Sequence, residues 1–308
     1  MTRTLGRDPL DPERAPAGIF PFGVIHCGSY GRLGLVSTDI PLPDHRPRLV
    51  ATDLDGTIVR SDGKISPRTV AALDLIERAG CMLVFVTGRP PRWMPSVAEA
   101  TGHHGLAICA NGAILYDLRT ERVVEQQVLD PARIRQVVEA MRREMPDIVF
   151  ACEYGNELWH EADYPVFQDA GQPGVRTATL GELCAQPAAK LLARHRFLDS
   201  ETFMRQARAV AGAYAEFTYT GYDGLLEISA SGVSKASGLA RFCVRHGIDA
   251  ADVIAVGDMP NDLPMLAWAG TGYAVANAHP DVLAAVDRHL PSNDEDGVAQ
   301  LLERLFNV

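Results

Sequence analysis

Short, uniformly apolar runs recur along this chain, and each ends abruptly at a turn. Leu49-Val50-Ala51-Thr52, Cys81–Val86, Leu106–Ala110, Val253–Val256 and Tyr273–Ala276 are of this kind. Runs this short, without polar alternation, suit strands covered on both faces. Helical spacing lies between them. Ser66-Pro67 places an N-cap before a proline at the first helical position, opening a helix to about Ala79 that Gly80 stops. Further helices are predicted over Trp93–Thr101, Lys235–His246, Asp262–Trp268 and Val298–Phe306. Strand and helix in alternation predict an α/β fold, a doubly wound and mainly parallel sheet with right-handed crossovers.

From about Tyr116 the pattern changes. Asp130-Pro131 opens a helix to Glu144, and Ile148–Tyr154 with Glu157–His160 form a hairpin around Gly155-Asn156. A strand over Leu191–Phe197, a helix over Ser200–Ala211, and strands over Glu216–Thr220 and Leu225–Ser229 complete the segment. Its strands alternate more, which suits an α+β unit with an antiparallel sheet open on one face. The expected organisation is a core from residues 48–116 and 231–308, interrupted by an inserted unit at 117–230. Residues 1–47 carry seven prolines and no sustained periodicity, so a loosely ordered extension is expected there. The mildly apolar stretch Gly18–Ile25 is the place for a signal peptide, but none is expected, because Pro21 interrupts it, acidic residues precede it and no small-residue cleavage site follows.

Composition narrows the function. With 308 residues, 47% of them hydrophobic and 22% charged, the chain is long enough for two domains. No apolar run approaches the roughly 18 residues a membrane span needs. A net charge of −10 argues against non-specific binding to nucleic acid. Six cysteines are scattered with no C-x-x-C pair, so reduced thiols in a cytoplasmic setting are expected, with neither a disulfide framework nor zinc.

The most chemical segment is Asp53-Leu54-Asp55-Gly56-Thr57, released from the first apolar run. Two carboxylates two residues apart repel each other, and a hard cation such as Mg²⁺ removes that cost while also binding phosphate oxygens. An Asx-turn or an incidental calcium loop is the alternative for this motif alone. Thr87-Gly88-Arg89 ends the second run and Gly257-Asp258-Met259-Pro260-Asn261-Asp262 the fourth, while Gly232–Gly238, with Lys235, opens a helix. Thr87 and the acidic residues at 258–262 also suit plain helix caps. Lys235 is harder to explain structurally, because a cation opposes the dipole at a helix start.

These four segments, in this order, resemble the haloacid dehalogenase (HAD) superfamily of phosphohydrolases, and within it the Cof-type or subclass IIB group. Asn111-Gly112-Ala113 and Asn277-Ala278 are similar to further landmarks of that group. The resemblance implies a HAD-like Rossmannoid core and an α/β cap over residues 117–230. It implies Asp53 as nucleophile, Asp55 as general acid and base, and Thr87 and Lys235 as catalytic partners. Mg²⁺ would be held by Asp53, the backbone carbonyl of Asp55, Asp258 and Asp262. Gly56, Thr57, Thr87, Gly88, Arg89, Lys235 and Asn261 are the expected phosphate and substrate contacts. The implied activity is Mg²⁺-dependent hydrolysis of a small phosphorylated metabolite through an aspartyl-phosphate. A phosphomutase with the same kind of cap is one alternative, and a binding protein that has lost catalysis is another.

Other residues carry weaker expectations. Arg89 and Arg92 could meet an anion or sit solvated after the turn. His103-His104 is expected at the surface, and Trp93, Trp159 and Trp268 in packing. Within the cap, Glu153, Tyr154, Asn156, Tyr219 and Tyr222 are the candidates to face the site and choose the substrate.

Overall fold

Two sheets organise the molecule. The computed structural model describes residues 40–219 and 224–306. The extension expected over residues 1–47 lies outside the described residues as far as residue 39. The first sheet takes β1 (Leu49–Thr52), β2 (Met82–Val86), β3 (Leu106–Cys109), β4 (Ile114–Asp117) and β5 (Arg122–Gln126) from the first half of the chain. The second takes β6 (Val149–Tyr154), β7 (Glu157–His160), β8 (Val175–Thr177), β9 (Lys190–Arg194), β10 (Glu216–Tyr219) and β11 (Leu225–Ser229). The chain then returns to the first sheet through β12 (Val253–Gly257), β13 (Thr271–Val275) and β14 (His289–Leu290).

The first sheet has the order β14-β13-β12-β1-β2-β3-β4-β5. Its six strands from β14 to β3 are parallel, and β4 and β5 add an antiparallel edge. Every residue of β1 and β12 is buried, which is why these strands read as unbroken apolar runs. Helices α1 (Pro67–Arg78) and α2 (Met94–Thr101) follow β1 and β2. Ser66 caps α1 by accepting the N–H of Thr69 at 3.0 Å, as the Ser-Pro pair predicts.

In the inserted segment, α3 (Pro131–Glu144), α4 (Leu180–Leu183) and α5 (Ser200–Ala211) accompany a sheet of order β10-β11-β9-β6-β7-β8. Helices α3 and α5 cover one face, where Ile134, Met141 and Phe203 meet Phe150, Cys152, Leu191 and Ile228. Alternate strand positions point to the opposite face, which carries Glu153, Lys190 and Glu227. After this segment come α6 (Lys235–His246), α7 (Leu263–Trp268), α8 (Pro280–Ala285) and α9 (Gly297–Leu305), the last packed on α1.

The expected boundary at residue 116 differs from the sheet membership: β5, at 122–126, still belongs to the first sheet. Its residues are exposed or half-buried, so this edge strand has no apolar run to announce it. The strand expected to reach Phe197 ends at Arg194, and Phe197 lies exposed beyond it. Cys81, Cys109, Cys152, Cys184 and Cys243 are free and buried, as expected of structural thiols. Among the described residues, no helix is long and apolar enough to cross a membrane.

Candidate active site

The first sheet starts at β1, winds outward through β2 and β3, then returns to lay β12 on the other side of β1. The crevice between β1 and β12, beyond their C-terminal ends, is therefore the topological switch point where open α/β sheets bind ligands. Asp53 leaves β1 there, and its N–H donates to the carbonyl of Val256 on β12 at 3.0 Å. The Leu54 carbonyl accepts the N–H groups of Thr57, Ile58 and Val59, closing a tight turn. Gly56 occupies that turn at φ +76°, and a Cβ on it would lie 2.3 Å from Asp258 Oδ2. Thr57 Oγ1 donates to the other oxygen, Asp258 Oδ1, at 3.1 Å. Gly56 and Thr57 thus both lie against the Asp258 carboxylate.

Lys235 is the first residue of α6, whose start is fixed by a reciprocal cap between Ser234 and Ser237. Its buried Nζ lies 2.9 Å from Asp53 Oδ1 and donates to Asp262 Oδ1 at 2.7 Å. The two carboxylates outweigh the cost of burial and hold the Lys235 pKa above that of an ordinary lysine. Asp262 Oδ2 accepts the N–H groups of Asp258 and Met259 at 3.1 and 3.0 Å. Gly257 permits this, since a Cβ there would sit 2.5 Å from Asp262 Cγ.

Burial, partly offset by Lys235 and reinforced by Asp262 and Asp55, pushes the Asp53 pKa up to about 7. Burial together with Asp53 and Asp262 raises Asp258 well above the usual carboxylate range. Three carboxylates face one ammonium, and oxygens of Asp53, Asp258 and Asp262 come within 4.8 Å of one another. This all-oxygen set with uncompensated negative charge fits a hard divalent cation. Both oxygens of Asp262 also accept hydrogen bonds, from Lys235 and from the Asp258 and Met259 N–H groups, so Asp262 aligns the Asp258 backbone and Lys235 within the cluster.

Thr87 follows β2, and its hydroxyl oxygen accepts the N–H of Arg89 at 3.0 Å. Arg89 is buried, and its guanidinium meets both oxygens of Asp55 at 2.8 and 2.5 Å. Arg92 is equally withdrawn: it bonds Asp169 at 2.9 Å and Glu153 at 3.1 Å. Neither arginine is solvated, because each meets a carboxylate in the fold.

Of the cap candidates, Glu153 is buried on Arg92, with Lys190 at 3.7 Å. Tyr154 turns to the helix-covered face, where its hydroxyl donates to the Leu183 carbonyl at 2.6 Å. Asn156 is exposed at the hairpin tip. The side chain of Tyr219 and all of Tyr222 lie outside the described residues. His103, expected at the surface, is buried edge-on against Phe85 with Nδ1 2.9 Å from Glu77 Oε1. Sequence reasoning missed Lys190 and Glu227, charged residues beside apolar neighbours in β9 and β11. That placement was the available signal. It also gave no role to Asn111, which lies with Ala110 in the left-handed region.

An acidic crevice at the switch point of a doubly wound sheet, roofed by an inserted sheet, is the framework of a capped phosphoric monoester hydrolase. The family model described as haloacid dehalogenase-like hydrolase matches residues 50–302, and the chain belongs to that family. A pyridoxal phosphate phosphatase of Escherichia coli (strain K12) is 27% identical over 267 residues, spanning 83% of this chain and 97% of the relative. A 5-amino-6-(5-phospho-D-ribitylamino)uracil phosphatase of Bacillus subtilis (strain 168) is 26% identical over 270 residues, spanning 85% and 99%. The crystal structure of a haloacid dehalogenase-like hydrolase from Bacteroides thetaiotaomicron superposes with a TM-score of 0.69 at 27% identity, covering 84% of this chain and 100% of that one.

Proposed function

We propose that this protein is a Mg²⁺-dependent phosphatase of a small phosphate monoester, acting through an aspartyl-phosphate on Asp53. The observation that carries this reading is the meeting of Asp53, Asp258, Asp262 and Lys235 at the switch point, with Asp55 on the same turn. Bound Mg²⁺ would neutralise the Asp53–Asp258 pair and the phosphoryl oxygens, and Asp53 and Asp258 would hold it.

An Asp53 oxygen attacks phosphorus, the bond to the leaving oxygen breaks, and Asp55 gives that oxygen a proton. One Asp55 oxygen must leave Arg89 to do so. Asp55 then takes a proton from water, the water oxygen attacks phosphorus, and the bond to Asp53 breaks, restoring the carboxylate. Lys235 and the hydroxyl of Thr87 offset charge on the phosphoryl oxygens.

None of these groups reads the leaving group, so choice among sugar phosphates, nucleotides and cofactor phosphates falls to the cap. The relatives named above act on chemically different leaving groups, as their names state. Buried free thiols fit a reducing cytoplasmic setting. The deciding experiment is phosphate release from a panel of phosphorylated metabolites, with Mg²⁺ and with EDTA. Turnover that needs Mg²⁺ supports the reading, and silence across the panel or full activity in EDTA overturns it.

A further inference from the structure

The cap reaches the core through polar groups withdrawn from water. The side chains of Lys190 and Glu227 are only 1% and 8% exposed, and they lie 2.5 Å apart. Buried ion pairs of this kind seldom stabilise more than apolar packing would. Their contacts lead to the phosphoryl-binding loops. Lys190 Nζ donates to the carbonyl of Gly88 at 2.8 Å. Glu227 Oε2 accepts Asn111 Nδ2 at 2.5 Å, and Asn111 Oδ1 accepts Asn261 Nδ2 at 3.2 Å. The Asn111 N–H holds the carbonyl of Thr87 at 3.0 Å. A carboxylate only accepts, so Glu227 decides which way the Asn111 amide faces and therefore which atom of Asn261 meets it. Gly88 lies under this pair: a Cβ there would sit 3.1 Å from Asn111 Oδ1 and 3.6 Å from Glu227 Oε2.

We propose that Lys190, Glu227 and Asn111 form a positioning relay that makes phosphoryl transfer itself, and not only the choice of leaving group, depend on the seated cap. Seating the cap sets the Gly88 peptide through Lys190 and the Asn261 amide through Glu227 and Asn111. The proposal rests on the reading of the crevice as a phosphoryl-transfer site. Breaking the relay lowers kcat on every ester by a common factor and leaves KM nearly unchanged. A residue that touched the leaving group would reorder the substrates instead.

The test exchanges donor and acceptor within one bond. Asn111→Asp sets two carboxylates against each other, and Glu227→Gln leaves one oxygen to serve two donors. Each single variant is expected to lose kcat by ~10-fold or more on p-nitrophenyl phosphate and on a metabolite ester alike. In the double variant the amide at 227 donates to the carboxylate at 111, its oxygen still serves Lys190, and Asn261 keeps its acceptor. Recovery of kcat to within about 3-fold of wild type is expected. Additive losses in the double variant, unchanged kcat in the singles, or reordered substrates would overturn the relay. Wild-type protein that turns over no ester refutes the phosphatase reading instead. Amide hydrogen exchange over residues 87–89 and 258–263 then decides the relay: Asn111→Asp accelerates it and the double variant restores it, whereas unaltered exchange overturns the proposal.

Discussion

Asp53 carries two demands that conflict in the absence of a cation. A nucleophile must be ionised, yet burial and neighbouring carboxylates hold its proton up to about pH 7. In the unfolded chain the same group ionises near 3.8. Its proton-linked stabilisation is therefore complete below the lower value and is lost as pH rises through the upper one. The Tm of metal-free protein is expected to fall between about pH 4 and pH 7, and Mg²⁺ to flatten or reverse that slope. Thermal melts across pH in EDTA and in Mg²⁺ check this, and a metal-free Tm that climbs over the range contradicts it. Asp53→Asn removes both demands. Its kcat is expected to drop by roughly 10⁴-fold or more while its metal-free Tm rises above that of the wild type, measured by phosphate release and calorimetry.

At the scale of elements, the site is a set of strand ends held in register by glycines. Gly56→Ala must relieve φ +76° and a 2.3 Å approach to Asp258 Oδ2. A loss of about 1–3 kcal/mol is expected in denaturant unfolding, with weaker Mg²⁺ binding by titration calorimetry. Gly112 does the same for α6: at φ +99°, a Cβ would meet the Ser234 carbonyl at 2.0 Å, so the turn after β3 seats the helix that carries Lys235. These local devices were legible. Asp-x-Asp-Gly, Ser66-Pro67, Asp130-Pro131 and the Lys235 helix are written in adjacent residues, and their elements fell where the sequence placed them. Long-range pairings were not. Arg92 finds Glu153 across 61 positions, Glu227 finds Asn111 across 116, and no local pattern encodes such partners. Tyr154 was read without the register of its strand, whose even positions turn to the helices and away from the core.

At the scale of the molecule, cap and core meet on buried charge. Arg92 serves Glu153 and Asp169 together, so Arg92→Ala leaves Asp169 without this cation and Glu153 with Lys190 at 3.7 Å. It is expected to cost about 3 kcal/mol and to speed limited proteolysis of the inserted segment, both read against the wild type. EDTA is expected to abolish turnover, with Mg²⁺ restoring it and Ca²⁺ doing so poorly, because its longer bonds and looser shell misplace the nucleophile. The insertion also governs when activity can arise during synthesis. Thr57 and Asp258 touch across 201 positions, and everything between them leaves the ribosome before Asp258 does. The cap's own apolar cluster, spanning residues 129–230, is complete before β12 exists. A nascent chain therefore carries its roof before the second half of its catalytic floor, and such high contact order makes closing the crevice the late step of folding. No arrested fragment lacking the last fifty residues can hold the four-residue charge cluster in place, so translation that stops short yields a scaffold without a phosphatase.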